Sequence, residues 1–496
     1  MFMTNVLMQH ALDRPEEAAI IFEGNEWTYR NLYHNAKKIA GYLQSRGYQK
    51  GDIIAQFMLN SDVFMAVYYG VQLAGCTVMP VNTKLAAPEV DYIFMHSEAK
   101  ALFYDDAVAG TLEATNTRFE EELNLQDIRA ILEDDSYSGD DFVSLEADDT
   151  AVVMYTSGTT GKPKGVMLSH QNIYETAEIW SESMNMTRED RMYICTPLFH
   201  CAGSHVFAVP TMYRGGTVVI AESFSPDHTL AHLVETSATI FFGVPAMYAI
   251  LLNKPELETY DFEHLRLLCY GAAPMPYELV KKLKEAFPKV AVQNLYGQTE
   301  NSPAATSLLD DAALTKIGSV GKPLSRTEVK LVDAEGKEVP VGEVGEICVR
   351  GPQVMKGYLR NLEETLLAIH DGWLYSGDLG RFDEEGYLYI VDRKKDMIIR
   401  GGENIYPIEI EEVLYRMPEV LEAAVVGVPH EVYGEVAKAF IALKEGRSLS
   451  EEDVLQYART QLAKYKVPAE VEFVGSLPRN ASGKVLKHTL RPKQNV

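Results

Sequence analysis

Met154-Tyr155-Thr156-Ser157-Gly158-Thr159-Thr160-Gly161-Lys162-Pro163-Lys164-Gly165 is the stretch that decides how this chain reads. The apolar run Ala151 to Met154 predicts a buried strand that ends in a loop. That loop gathers the hydroxyls of Thr156, Ser157, Thr159 and Thr160, the glycines Gly158, Gly161 and Gly165, and the cations Lys162 and Lys164. Hydroxyls and bare N–H groups wrap phosphate oxygens, cations neutralise them, and glycine lets the backbone come close. The loop therefore suits a polyphosphate. It is not the G-x-x-x-x-G-K-[ST] loop of the common nucleotide hydrolases: Thr156 stands where that pattern wants its first Gly, and Pro163 where it wants Ser or Thr.

Outward from the loop, helix and strand signals alternate. Thr28 can cap a helix whose apolar face is Leu32, Ala36, Ile39, Ala40 and Leu43, stopped by Gly47. Strands are expected at 53–58, 77–81, 101–104, 217–221, 239–242 and 267–270, with a helix at 63–73. This alternation predicts parallel strands joined by crossover helices. Residues 107–149 are acidic and weakly periodic, and read as a variable surface segment. Past Ile317 the texture changes to short β runs at 328–332, 345–350 and 386–391, with turns at 333–336 and 383–386. The tail carries its own signals: helix 407–415, strands 423–428 and 437–443, helix 450–462. The expected fold class is α/β. A large N-terminal domain of parallel sheets flanked by helices, with a β-rich subdomain, spans 1–394, and a small α+β C-terminal domain spans 395–496.

With 496 residues, the chain exceeds the size at which one core keeps growing, which also argues for two domains. Its formal net charge of -25 repels nucleic acid and anionic membrane surfaces, so a nucleic-acid partner is not expected. Any anion site must be built from local donors against that field. The five cysteines are dispersed and form no C-x-x-C pair, which fits reduced thiols rather than a disulfide framework or a zinc site. No apolar run reaches membrane-spanning length, and residues 1–13 lack a basic leader, so no integral membrane segment is expected and the location read is cytoplasmic.

Several further runs carry chemistry. In Asn294-Leu295-Tyr296-Gly297-Gln298-Thr299-Glu300, a carboxylate follows a hydroxyl beyond a glycine turn, which can hold a hard cation and a phosphate oxygen together. Gly271-Ala272-Ala273-Pro274 ends a strand in small residues that let a flat ring approach the backbone. Tyr375-Ser376-Gly377-Asp378 offers an acceptor-only carboxylate suited to a diol. His200, at the end of Pro197-Leu198-Phe199-His200, reads as pocket lining or a gate rather than a base. Arg400-Gly401-Gly402-Glu403 leads into a helix at Pro407 and leaves room for a slim substrate arm.

Together these strings resemble the adenylate-forming enzymes, a family of acyl-CoA synthetases, luciferases and peptide-synthetase adenylation domains. The resemblance runs from Thr28 to Lys484 and rests on YTSGTTGKPKG, on YGQTE and on Pro478-Arg479-Asn480-Ala481-Ser482-Gly483-Lys484, similar to the family's P-R-x-x-x-G-K. It implies ATP, Mg²⁺ and coenzyme A. The loop from Thr156 to Lys164 would hold the polyphosphate. Glu300 would bind Mg²⁺, with Thr156 beside it on the metal, and Thr299 the α-phosphate. Tyr296 and Gly271 to Ala273 would flank the adenine, with Asn294 at its amino edge. Asp378 would accept both ribose hydroxyls, with Arg393 assisting. Lys484 would reach from a mobile C-terminal domain to the carboxylate and α-phosphate, while Gly401 and Gly402 line the pantetheine passage after a swing about Lys395.

The activity so implied is ligation of a small carboxylic acid, a medium- or long-chain fatty acid in the first instance, to CoA through acyl-AMP. Phe207, Val209, Met212, Phe242, Val244 and Met247 are candidates for an apolar tunnel, and each also fits a core position. Open alternatives are an aryl or o-succinylbenzoate ligase, an enzyme loading a free carrier protein, a luciferase-like oxygenase and a non-catalytic nucleotide-binding scaffold. The reading also leaves room for a homodimer.

Overall fold

The computed structural model describes residues 2–137, 143–156, 162–273, 275–401, 403–479 and 485–491. Among these residues the chain folds around three sheets. The first has seven strands, in the order Gly357–Tyr358, Lys164–Ser169, Thr150–Thr156, Thr77–Pro80, Ile53–Phe57, Ala101–Tyr104 and Glu121–Leu123. Its central strands pair in parallel and are buried on both faces, as expected where helices cover a sheet. Helix Tyr29–Ser45 starts at Thr28, whose hydroxyl accepts from the Asn31 N–H at 3.2 Å. It buries the predicted face of Leu32, Ala36, Ile39, Ala40 and Leu43. Helix Asp62–Leu73 packs on it so closely that a Cβ at Gly70 would lie 2.5 Å from the Ile39 Cβ.

The described ends of the 154–165 stretch lie on adjacent strands of this sheet. Thr150–Thr156 and Lys164–Ser169 are antiparallel neighbours, with Thr156 opposite Lys164. The ladder thus fixes both ends of the loop.

The second sheet has fourteen strands. Its parallel core includes Arg191–Ile194, Ile240–Phe242, Leu267–Gly271 and Ala291–Tyr296. It then turns antiparallel through Thr306–Leu308 and Ser319–Pro323 and runs into Leu388–Arg393, Trp373–Phe382, Gly345–Arg350 and Glu328–Val332. The β-rich part expected past Ile317 is therefore a continuation of the parallel core, not a separate layer. A third, five-stranded sheet pairs Val420–His430 with Gly434–Leu443. Its core of Ile398, Ile405, Ile410, Leu414, Val425, Ile441 and Val454 is covered by helices Pro407–Tyr415 and Glu451–Gln461.

One expectation needs correction. Residues 107–149 are not only surface: Glu121–Leu123 extends the first sheet, and helix Leu125–Glu133 buries Ile128 and Ile131 in the main core. Leu125, Ile128, Ile131 and Leu132 follow a helical period, but the acidic flanks at 120–122 and 133–135 set the character of the segment.

Where the second sheet leads into the third, Asp392 is buried. Its carboxylate accepts from the N–H groups of Arg393 at 2.7 Å and Ile408 at 3.0 Å. Lys487 sits close by, paired to Glu411 at 2.7 Å. Burial pushes the Asp392 carboxyl up to about 6, with Lys487 opposing only in part. A folded value above the unfolded one makes the native state the tighter proton binder between about pH 4 and about pH 6, so Asp392 costs stability as pH rises through that window. Asp392→Asn is therefore expected to be more stable than the parent by up to roughly 2–3 kcal/mol at neutral pH, with the gain vanishing below about pH 4. Denaturant midpoints of both proteins across that range check the sign.

Candidate active site

Asp378 lies buried in the long strand Trp373–Phe382. Its Oδ2 accepts from the Tyr296 hydroxyl at 2.7 Å and from Gln298 Nε2 at 2.7 Å, and its Oδ1 is 3.4 Å from Arg393 Nε. Gln298 Nε2 also donates to the Ser376 carbonyl at 2.9 Å. Burial, then the Asp378 charge, raises Tyr296 well above its ordinary value, so the phenol stays a donor. The structure thus brings Tyr296, Asp378 and Arg393 together. Gln298 was overlooked as a functional residue, although it sits inside the quoted YGQTE run; an amide there reads as filler until its partner is seen.

Two glycines make this corner possible. A Cβ at Gly271 would stand 2.5 Å from the Leu295 carbonyl oxygen on the adjacent strand, and one at Gly297 would stand 2.0 Å from the Pro303 carbonyl oxygen. Ala272 follows with φ +65°, turning the chain out of the sheet toward Ala273. Asn294 donates through Nδ2 to the Ser319 carbonyl at 3.1 Å, which fixes the amide and leaves its oxygen to accept. Gly271, Asn294 and Tyr296 lie at the carboxyl ends of parallel strands, where open α/β sheets bind ligands, while Asp378 and Arg393 come from the antiparallel part of the same sheet.

A second cluster surrounds Glu300. Its Oε1 accepts from the Tyr358 hydroxyl at 3.0 Å, and the Lys164 ammonium lies 4.8 Å from the Tyr358 ring centroid. Lys164 pairs with Glu364 at 2.5 Å. One tyrosine therefore joins the loop lysine to the carboxylate expected to hold a cation. Neither Tyr358 nor Glu364 carried a sequence signal, because both come from strand and helix segments remote from the loop. Thr299 Oγ1 is 3.2 Å from Cys201 Sγ, which is 3.7 Å from His200 Nδ1. His200 Nδ1 also accepts from the Ala202 N–H at 3.3 Å, consistent with a lining role rather than that of a base. Burial pushes the Cys201 thiol up, but the His200 ring and the Thr299 hydroxyl outweigh it and leave the thiol below its ordinary value.

Among the described residues no group of three or more His, Cys, Asp or Glu side chains could hold a metal ion. A cation here would depend on Glu300 plus ligand oxygens, which fits Mg²⁺ rather than zinc or a caged calcium. Ser157, Gly158, Thr159, Thr160, Gly161, Gly402 and Lys484 lie outside the described residues, as does Pro274. Gly401 adopts φ +58° and donates its N–H to the Tyr433 carbonyl at 2.8 Å. Lys395 is exposed, and its carbonyl accepts from Arg491 at 3.2 Å.

A family model described as AMP-binding enzyme matches residues 7–359, and one for the AMP-binding enzyme C-terminal domain matches 409–484. The chain belongs to the AMP-binding enzyme family. A feruloyl-CoA synthase of an Amycolatopsis species is 37% identical over 96% of both chains. A long-chain-fatty-acid–CoA ligase of Mycobacterium tuberculosis is 35% identical, over 99% of this chain and 98% of its own. Among solved structures, the o-succinylbenzoate CoA synthetase of Bacillus subtilis with its acyl-adenylate intermediate superposes with a TM-score of 0.89 at 33% identity, covering 99% of this chain and 98% of that one. The same B. subtilis enzyme with ATP and magnesium ion gives a TM-score of 0.88 at 33% identity, over 98% of this chain and 99% of its own. As a member of the adenylate-forming superfamily, this AMP-binding enzyme is an AMP-forming acid–thiol ligase.

The Asp378 corner generates a direct test. Gln298→Leu removes one of the two donors on Oδ2 and should weaken AMP binding about tenfold, the worth of a hydrogen bond to a charged group. Calorimetric titration with AMP reads it, and an unchanged affinity would separate this corner from the nucleotide.

Proposed function

We propose that this enzyme activates a carboxylic acid with a compact apolar body, an aryl acid or a medium-chain fatty acid, and passes it to CoA. The observation that carries the acid class is the packing of Phe207 on Phe242, ring centroids 4.7 Å apart and both rings buried. Both were tunnel candidates, with Val209 and Met212, which are also core residues; Val244 and Met247 remain partly exposed. Phe207 belongs to the π-helix Ala202–Ala208, which begins two residues after His200. An acyl chain entering past His200 meets this aromatic pair early, which favours a short or planar acid. A long-chain acid is the second reading, favoured by the M. tuberculosis relative named for that substrate class.

In the first step a carboxylate oxygen attacks the α-phosphorus of ATP, and pyrophosphate leaves. In the second the CoA thiol displaces AMP from the acyl-adenylate. Asp378 and Arg393 take the ribose, Tyr296 and Gly271 to Ala273 flank the adenine, and Asn294 faces its amino edge. The loop from Thr156 to Lys164 wraps the polyphosphate. Glu300 would hold Mg²⁺, which would supply neutralisation of phosphate oxygens. Thr299 and Lys484 offset charge where it grows during attack. The two steps need two arrangements of residues 395–496 about Lys395, one presenting Lys484 and the other Gly401 and Gly402. No helix among the described residues is long and apolar enough to cross a membrane.

Pyrophosphate release over a panel of aryl and C6 to C18 acids tests the substrate class. Phe207→Leu should extend the accepted chain length and cost the best aryl acid about tenfold, since shape changes in a hydrophobic pocket are worth about 1–3 kcal/mol. Preference of the parent for C16 or longer acids would favour the second reading.

The two-arrangement scheme predicts opposite splits in two variants. Lys484→Ala should lose roughly two to three decades of adenylation, about 3–4 kcal/mol of charge stabilisation, yet still convert supplied acyl-AMP to thioester. Gly402→Leu should do the reverse. Mass spectrometry reads acyl-AMP made from acid plus ATP and, separately, acyl-CoA made from supplied acyl-AMP; an equal loss in both assays in either variant removes that residue from its step.

A further inference from the structure

A cavity of about 300 Å³ lies between Lys162 to Lys164 and the helix Ala87–Ser97. We infer that it is a second polyphosphate site, bounded by Tyr92, His96, Lys162, Lys164, Tyr358 and Asn361, and that it receives the inorganic pyrophosphate leaving the first step. The inference rests on the adenylation reading above.

The lining brings Lys162, Lys164 and His96 together beside the apolar Pro163 and Leu359, in a chain of net charge -25. Lys162 is exposed and lies over the Tyr92 ring, 5.6 Å from its centroid; among the described residues no carboxylate pairs with it. A lysine left with only an aromatic face beside a cavity, in a protein with far more carboxylates than cations, is an open counter-charge for an anion. His96 stacks on Tyr92, centroids 5.5 Å apart at 25°, and its Nδ1 is 2.7 Å from the Tyr155 hydroxyl. With that phenol donating, the ring proton sits on Nε2, on the side away from Tyr155. Burial, then Arg360, holds the imidazole below its ordinary value, so it serves as a neutral N–H donor.

The position suits a leaving group. Tyr358 is a wall of the cavity and at the same time donates to Glu300, so one ring separates the cavity from the carboxylate at the polyphosphate. Lys164 lies over that ring and can serve either side. Its partner Glu364 opposes a bound anion, because pyrophosphate must take Lys164 from that carboxylate. Such competition makes the site weak and releasing, as an exit should be.

The experiment follows acid-dependent exchange of labelled inorganic pyrophosphate into ATP by the full-length enzyme, together with calorimetric titration of pyrophosphate, orthophosphate and CoA. His96→Leu should lower the affinity for pyrophosphate about tenfold and Tyr92→Phe about threefold, with the KM for ATP and the affinity for CoA within about twofold. Thermal melting shows whether each variant is folded; if His96→Leu is not, Tyr92→Phe alone decides. Unchanged pyrophosphate affinity overturns the inference. So does a matching rise in the KM for ATP, which would make the cavity part of the triphosphate seat. A loss directed at CoA, or orthophosphate binding as tightly as pyrophosphate, overturns it as well. If no acid supports exchange in the parent enzyme, the adenylation reading fails, and the titrations still decide whether the site exists.

Discussion

A buried carboxylate is tolerated only where donors meet it, and Asp378 is the point around which this molecule is arranged. Its two oxygens are met by a phenol, an amide and a guanidinium that come from two strands and the loop between them. Those partners meet only if Ala291–Tyr296 and Trp373–Phe382 belong to one continuous sheet, which they do through Ser319–Pro323 and Leu388–Arg393. Removing any one donor leaves the remaining acceptor capacity buried, so fold and site are held by the same bonds. The corner proposed to take the ribose is therefore part of the scaffold and not an appendage on it.

The acidity of the chain gives the lysines unusual weight. Most cations on the described surface are already engaged: Lys316 with Asp383 and Glu385, Lys466 with Glu409, Arg326 with Glu175 and Glu178. Lys164 is engaged too, with Glu364, so any anion at the loop competes with that carboxylate for its charge. Local donors overcome the global field because they act within a few ångströms, while the distant carboxylates are screened by solvent and salt.

Much of this was legible in the sequence because order-specific strings fix both chemistry and placement. The motifs at 154–165 and 294–300 each end a strand, as their preceding apolar runs imply, and Tyr296, Asp378 and Arg393 meet despite separations of tens of residues. The apolar face of the first long helix was visible in its period. Other features were not legible for physical reasons. Gln298, Tyr358 and Glu364 act through partners that only the topology supplies. The buried pair Ile128 and Ile131 was masked by acidic neighbours, and the continuity of the second sheet depends on pairings that no local pattern encodes. The aromatic contact of Phe207 and Phe242 joins residues whose types fit tunnel and core equally well.

The antiparallel seat of the phosphate loop also bears on how the chain is made. Lys164–Ser169 completes its ladder with Gly357–Tyr358, and Ala18–Phe22 with Thr217–Ile220. At a synthesis rate of about 5–20 residues per second, the loop hairpin waits roughly 10–40 s with one edge unpaired before its closing strand emerges. An unpaired edge is a template for pairing with another chain. The nascent enzyme is thus most exposed to misassembly after the nucleotide loop has been translated and before residue 358 arrives, so slowing translation there would raise the demand for a holding chaperone more than slowing it within the last hundred or so residues.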